Sequence, residues 1–173
     1  MPKVFDRSFN IMKKIIILMG VSGSGKSTLG LKLSKVLKLP FIEGDDFHSR
    51  TNIQKMKNGI PLTDNDREPW LIEISKKISG HRCKGAVLAC SALKESYRKI
   101  LSNYLSNDDL FWIYLKCSVE QLKIRMDNRD HFMPKELLLS QINSLEEPKN
   151  ALILDNNLSI EEMIENIKIT VNE

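Results

Sequence analysis

The first strong hydrophobic signal along the chain is Ile15-Ile16-Ile17-Leu18-Met19, five apolar residues without polar alternation, followed at once by a glycine-rich stretch. A run this short, bounded by glycine, predicts a strand covered on both faces, as in a parallel sheet. Beyond the glycines, Leu29, Leu33, Val36 and Leu37 recur at helical spacing until Pro40 ends the series, so the unit reads strand, glycine turn, helix. The pattern then repeats in kind. Phe41-Ile42 predicts a short second strand, and Trp70 to Ile78 a helix opened by Pro69 in its first turn and closed by Gly80. Ala86 to Cys90 reads as a third strand, Leu93 to Leu105 as a helix, and Leu110 to Leu115 as a fourth strand. Helices follow near 119–129 and 135–146, then a fifth strand at Ala151 to Leu154 and a closing helix from Ile160 to about Val171. Strands alternating with helices predict an α/β sandwich on a parallel sheet with right-handed crossovers. Ligands in such sheets bind beyond the carboxyl ends of the strands, so functional residues are expected just after strands.

Composition narrows the class without changing this picture. With 173 residues, 42% hydrophobic and 28% charged, the chain fits one domain of ordinary globular make-up, and neither a fibrous nor a disordered class. No apolar run approaches the ~18 residues of a membrane span. The 26 basic and 22 acidic residues give a net charge of +4, too weak to call for nucleic acid but compatible with small anionic ligands. Cys83, Cys90 and Cys117 lack metal-ligand spacing and read as buried thiols in a reducing cytoplasm. No secretory signal is apparent; residues 1–12 read as a loose extension, and 13–173 as a single domain.

The first position after a strand carries the clearest chemistry. Gly20-Val21-Ser22-Gly23-Ser24-Gly25-Lys26-Ser27 matches G-x-x-x-x-G-K-[ST] in full, with an apolar strand before it and an amphipathic helix after it. Glycines let the backbone wrap phosphate oxygens, the exposed amides and helix N-terminus supply positive potential, and Lys26 adds a full charge near the β/γ bridge. Ser27 is suited to ligating Mg²⁺ and Thr28 to a further phosphate contact. A nucleoside triphosphate with magnesium is the expected ligand.

Two uses of that ligand stay open: transfer of the γ-phosphoryl group to a small molecule, or hydrolysis by a regulatory switch. The end of the second strand favours transfer. Glu43 and Asp45 lie two apart in Phe41-Ile42-Glu43-Gly44-Asp45-Asp46-Phe47-His48, so an extended backbone would present both carboxylates on one side, above the phosphate loop. One acid beside the magnesium and a second accepting an alcohol proton suit phosphoryl transfer to a hydroxyl. Only seven of the 26 basic residues are arginines. Arg67, Arg98, Arg125 and Arg129 fall at strand or helix ends, where planar guanidinium groups suit carboxylates and phosphates. Arg125 and Arg129, four apart before Met133-Pro134, are expected to form a lid over the γ-phosphate. The guanine-selecting Asn-Lys-x-Asp sequence of many switches is absent.

Taken together these residues resemble the gluconate kinases (gluconokinases), a family of P-loop small-molecule kinases. The likeness runs from about Lys14 to the C-terminus. It rests on Gly20 to Thr28, on Glu43-Gly-Asp-Asp-Phe-His48, and on Asn52-Ile-Gln-Lys-Met56 leading through Gly59 to Asp64 into Asp66-Arg-Glu-Pro-Trp-Leu71. Cys90-Ser-Ala-Leu-Lys94 with Tyr97-Arg98, and His131-Phe-Met-Pro134, complete it. The resemblance implies a P-loop NTPase-type three-layer sandwich with a five-stranded parallel sheet and a helical lid at about 125–135. It also implies ATP- and Mg²⁺-dependent phosphorylation of D-gluconate on its terminal hydroxyl in the cytoplasm, often by a homodimer. By the same token Lys26 and the loop amides would hold the phosphates, Ser27 and Glu43 the metal side, and Asp45 the acceptor hydroxyl. Arg67 and Arg98, with His48, Asn52 and Trp70, would meet the sugar acid, and Arg125 and Arg129 the nucleotide. Shikimate- or nucleotide-kinase-like transfer is the alternative within the same class. Three departures from the family stand out: Ser49 in place of proline, predicting a less rigid turn after His48; a shortened lid turn between Arg129 and His131; and an early return to the fifth strand after Pro148, in a loop expected beside the adenine.

Overall fold

The computed structural model describes residues 14–127 and 134–172. Their elements run β1 (Ile15–Met19), α1 (Lys26–Leu37), β2 (Phe41–Glu43), a 3-10 turn (Gly44–Phe47), α2 (Arg50–Lys57), α3 (Asp64–Ser79), β3 (Ala86–Ala89) and α4 (Glu95–Leu101). A second 3-10 turn (Asn107–Asp109), β4 (Leu110–Lys116), α5 (Val119–Asp127), α6 (Lys135–Ser144), β5 (Leu152–Asp155) and α7 (Ile160–Asn172) follow. The five strands are parallel, in the order β2-β3-β1-β4-β5. The expected five-stranded parallel α/β sandwich is therefore present.

β1 is the central strand, and all five of its residues are buried, which is why its sequence shows no alternation. Ile15, Ile17 and Met19 enter one core with Leu71, Ile74 and Ile78 of α3 and Leu101 of α4; Ile16 and Leu18 enter the other with Leu29 and Leu33 of α1 and Ile167 of α7. Two apolar layers around one sheet give the three-layer sandwich, with all carboxyl ends of the strands on one side.

Several local expectations need correction. The helix expected from Trp70 begins at Asp64, so Pro69 lies inside it rather than in its first turn. Thr63 is the reason: its hydroxyl accepts from the Asp66 amide at 3.2 Å while the Asp66 carboxylate accepts from the Thr63 amide at 2.9 Å, a reciprocal cap strong enough to start the helix early. Burial of Trp70, Leu71, Ile74 and Ile78 then offsets the backbone bond that Pro69 omits. α2 has no counterpart in the expected elements, because its mean polarity hides the period; Ser49 caps it by accepting from the Asn52 amide at 3.1 Å. The serine that stands where the family commonly has proline thus anchors this turn instead of loosening it. α4 is shorter than expected, starting at Glu95 and ending at Leu101. Among the cysteines only Cys90 is buried; Cys117 is half-buried and Cys83 exposed. The 1–12 extension, Arg129 and most of the expected 125–135 lid lie outside the described residues. No helix among the described residues is long and apolar enough to cross a membrane.

The cap of α3 carries a pH signature. The hydrogen bond from Lys55 Nζ, then those from the Thr63 amide and hydroxyl, hold the Asp66 carboxyl at a pKa of about 2. Such a group stabilises the fold above its ordinary value of 3.8, and that contribution is lost as pH falls toward about 2. Thermal unfolding of Asp66→Asn is expected to lie below wild type near neutral pH and to converge with it between pH 3.8 and about 2. A gap independent of pH would show that the charge is irrelevant.

Candidate active site

The glycine turn after β1 is built for close backbone approach. Gly20 has a φ of +147°, and a Cβ there would stand 2.9 Å from the Leu115 carbonyl oxygen. Gly25, at a φ of 95°, precedes α1 as its N-cap without any side-chain cap, so the first amides of the helix are left for an incoming anion. Lys26 Nζ meanwhile donates to the Val21 carbonyl at 2.9 Å. Burial lowers the pKa of that ammonium, and Asp45, Cys90 and Glu43 act in the opposite direction.

β2 delivers the acids to the same place. Ser27 Oγ donates to Glu43 Oε2 at 2.5 Å. Burial raises the Glu43 pKa, with the Ser27 hydrogen bond opposing it. The extended backbone expected through Asp45 stops at Glu43, where the 3-10 turn begins. Asp45 reaches the cavity through that turn rather than by strand alternation. Behind both acids, burial pushes the Cys90 thiol up to about 12, which leaves it protonated and chemically inert.

A cavity of about 340 Å³ opens between the loop and Asp45. The loop side is lined by Ser22, Gly23, Gly25, Lys26, Ser27 and Thr28; Asp45, His48, Arg67 and Trp70 face it, with Met56, Leu62 and Leu137 as apolar wall. The His48 ring stacks on Trp70 with centroids 4.1 Å apart, and Trp70 Nε1 is tied to the Gly44 carbonyl at 2.7 Å. His48 Nε2 lies 3.9 Å from Asp45 Oδ1, whereas its buried Nδ1 has no hydrogen-bond partner among the described residues. Burial lowers the His48 pKa, Asp45 opposes and Arg67 adds to the lowering, so the ring is neutral near physiological pH.

Of the residues expected at the site, Gly20, Val21 and Ser24 form the buried base of the loop, and Glu43 joins it through Ser27. Arg125 does not line the cavity. Its Nη1 donates to the Gly23 carbonyl at 3.3 Å and its Nη2 to Asn156 Oδ1 at 2.9 Å, so it braces the loop. Asn52 and Arg98 do not line the cavity. Asn52 is buried and donates from Nδ2 to the Asp66 carbonyl at 2.8 Å, tying α2 to α3. Arg98 Nη1 donates to the carbonyls of Ala92 and Leu93 at 3.0 and 3.2 Å, satisfying backbone that no helix takes up, and lines a separate groove with Trp112 and Glu146. The segment after Pro148 lines that groove too, at the start of β5, and not the loop side.

Two residues at the loop escaped the sequence reading. Asn156, just after β5, donates from Nδ2 to the Ser24 carbonyl at 2.6 Å. The rule that function follows strands would have found it in the polar run Asp155-Asn156-Asn157. Gln141 of α6 accepts from the Ser22 amide at 2.7 Å across 119 residues of chain, and no local signal marks it. No group of three or more His, Cys, Asp or Glu side chains that could hold a metal occurs among the described residues. A hydroxyl beside one carboxylate fits Mg²⁺, which takes few protein ligands and completes its shell with phosphate oxygens and water.

The sequence matches the shikimate kinase family profile over residues 22–170. A probable gluconokinase of Dictyostelium discoideum is 41% identical over 169 residues, covering 90% of this chain and 84% of that protein. The thermosensitive gluconokinase of Escherichia coli is 43% identical, covering 77% and 72% respectively. The crystal structure of a gluconokinase from Sinorhizobium meliloti superimposes with a TM-score of 0.83 at 38% identity, covering 92% of each chain.

Proposed function

Because the chain belongs to the gluconokinase family, we propose that it transfers the γ-phosphoryl group of ATP to the terminal hydroxyl of D-gluconate, giving 6-phospho-D-gluconate and ADP. The observation that carries this reading is one cavity joining the phosphate loop to Asp45 and Arg67. A phosphoryl donor, a carboxylate able to take a hydroxyl proton, and a guanidinium able to hold an acceptor's carboxylate all border the same space.

In this reading Lys26 and the amides from Ser22 to Thr28 bind the phosphates and stabilise the charge that spreads over the transferring group. Burial of Lys26 strengthens its attraction for phosphate by excluding water. Asp45 orients the acceptor hydroxyl and accepts its proton; Arg67 takes the carboxylate at the other end, and His48 and Trp70 wall the space between. Mg²⁺, when bound, would be held by Ser27 beside Glu43 and supply neutralising charge to the phosphates. Arg125, through Gly23 and Asn156, keeps the loop in shape near the nucleotide. The same reading makes the enzyme a single-domain cytoplasmic protein, with a homodimer as the assembly its family implies.

An ADP-release assay with D-gluconate, shikimate and nucleoside monophosphates as acceptors tests the proposal. Turnover that depends on gluconate and far exceeds acceptor-free hydrolysis is expected. Release indifferent to gluconate, or driven best by shikimate, would overturn it in favour of a switch or of the acceptor named in the family profile.

A further inference from the structure

Arg67 is not a free arm reaching into the cavity. Its Nη1 donates to the Leu62 carbonyl and, at 3.3 Å, to the Tyr97 hydroxyl, so both Nη1 hydrogens are taken. The Nε and Nη2 groups have no hydrogen-bond partner among the described residues, and their shared edge is a fork that matches a carboxylate bidentately. Behind Arg67 the bonds have a fixed polarity. Lys94 Nζ donates to both Asp64 oxygens, at 2.9 and 3.0 Å, and the Tyr97 hydroxyl donates its single hydrogen to Asp64 Oδ1. An ionised carboxylate only accepts; Tyr97 must therefore donate to it, and its oxygen is left as an acceptor turned to Arg67.

We propose that Tyr97 and Asp64 are positioning residues for acceptor recognition, which by occupying Arg67 Nη1 present the Nε/Nη2 edge to the carboxylate of the sugar acid. The inference rests on the reading of Arg67 given above. The protonation states suit it. The Tyr97 hydrogen bond first, and Lys94 next, hold the Asp64 carboxyl below its ordinary range, while burial and Asp64 push the Tyr97 phenol above its own. The chain of bonds spans two helices: Asp64 opens α3, Arg67 lies one turn on, Tyr97 sits on α4, and Lys94 precedes that helix. The Tyr97 ring also lies 5.6 Å from the Arg67 guanidinium carbon, a contact that removing the hydroxyl leaves in place.

Steady-state kinetics of Tyr97→Phe, Asp64→Asn, Arg67→Ala and the Arg67→Ala, Tyr97→Phe double variant test the inference. Tyr97→Phe keeps the buried ring, and Asp64→Asn keeps the shape of an exposed side chain but lets an amide donate to Tyr97, turning the hydroxyl hydrogen against Arg67. Each is expected to raise the KM for gluconate about tenfold, the loss typical of a hydrogen bond to a charged group, with kcat and the KM for ATP within about twofold of wild type. In the Arg67→Ala background, Tyr97→Phe should have no further effect on kcat/KM for gluconate, because it acts through Arg67. Independent, multiplying effects, or equal losses for gluconate and ATP, would reduce Tyr97 to a packing residue and overturn the inference while leaving the role of Arg67 intact. An unchanged gluconate KM in Arg67→Ala would overturn the role of Arg67 itself. Should Tyr97→Phe fail to fold, Asp64→Asn alone decides.

Discussion

Asp45→Asn is expected to lower kcat about a hundredfold or more while leaving the KM for ATP nearly unchanged, the loss typical of a missing general base. The substitution is a clean one. The Asp45 side chain is 75% exposed, lines the cavity, and approaches His48 no closer than 3.9 Å, so asparagine breaks no bond on which the fold depends. Asparagine still orients a hydroxyl but cannot take its proton. The nucleotide, in contrast, is held by loop amides and by Lys26, whose hydrogen bond goes to Val21 and not to Asp45. Glu43 remains beside Lys26 in the variant, so its charge keeps part of its support. Steady-state kinetics with gluconate saturating give the kcat and those with ATP varied give its KM. Turnover equal to wild type would reassign the proton acceptor.

Gly44→Ala is expected to damage the same site through the backbone. A Cβ at Gly44 would stand 2.6 Å from the Ala89 carbonyl oxygen and 3.2 Å from Cys90 Cβ, where β2 and β3 give way to the site loops. No flexible side chain can yield at the first of these contacts, so the turn must move away from β3. Overpacking of this kind costs about 1–3 kcal/mol. The displaced turn carries Glu43 and Asp45 on either side, and its carbonyl is the anchor of Trp70 Nε1. A shift of about 1 Å in a reacting group can cost about a hundredfold in rate. Loss of kcat together with a lowered Tm is therefore expected, with Trp70 fluorescence reporting the lost anchor. A variant with wild-type Tm and turnover would show that the strand ends adapt without moving the acids.

The comparison of Arg67 with Arg98 shows where legibility ended. Both are arginines on helices, and linear spacing ranks them alike. In three dimensions one guanidinium borders the cavity while the other is spent on the carbonyls of Ala92 and Leu93. Helix phase and the carbonyls within reach of each side chain make that choice, and neither is visible in residue type. Arg125 is expected as a lid over the γ-phosphate, and among the described residues its guanidinium bonds to Gly23 and Asn156. Its partners, Gly23 and Asn156, are brought to it by a loop far away in sequence.

What residue order alone determined is the part whose chemistry is local. Five apolar residues without alternation can only be a doubly covered strand, and a glycine-rich turn ending in Lys26-Ser27 before a helix can scarcely serve anything but phosphate. Tertiary structure decided which polar groups distant in sequence meet: Gln141 on Ser22, Asn156 on Ser24, and Tyr97 between Asp64 and Arg67. Such pairings depend on angles accumulated over 30 to 132 residues of intervening chain. Short-range periodicity does not encode those angles, and only the packing of helices on a finished sheet sets them.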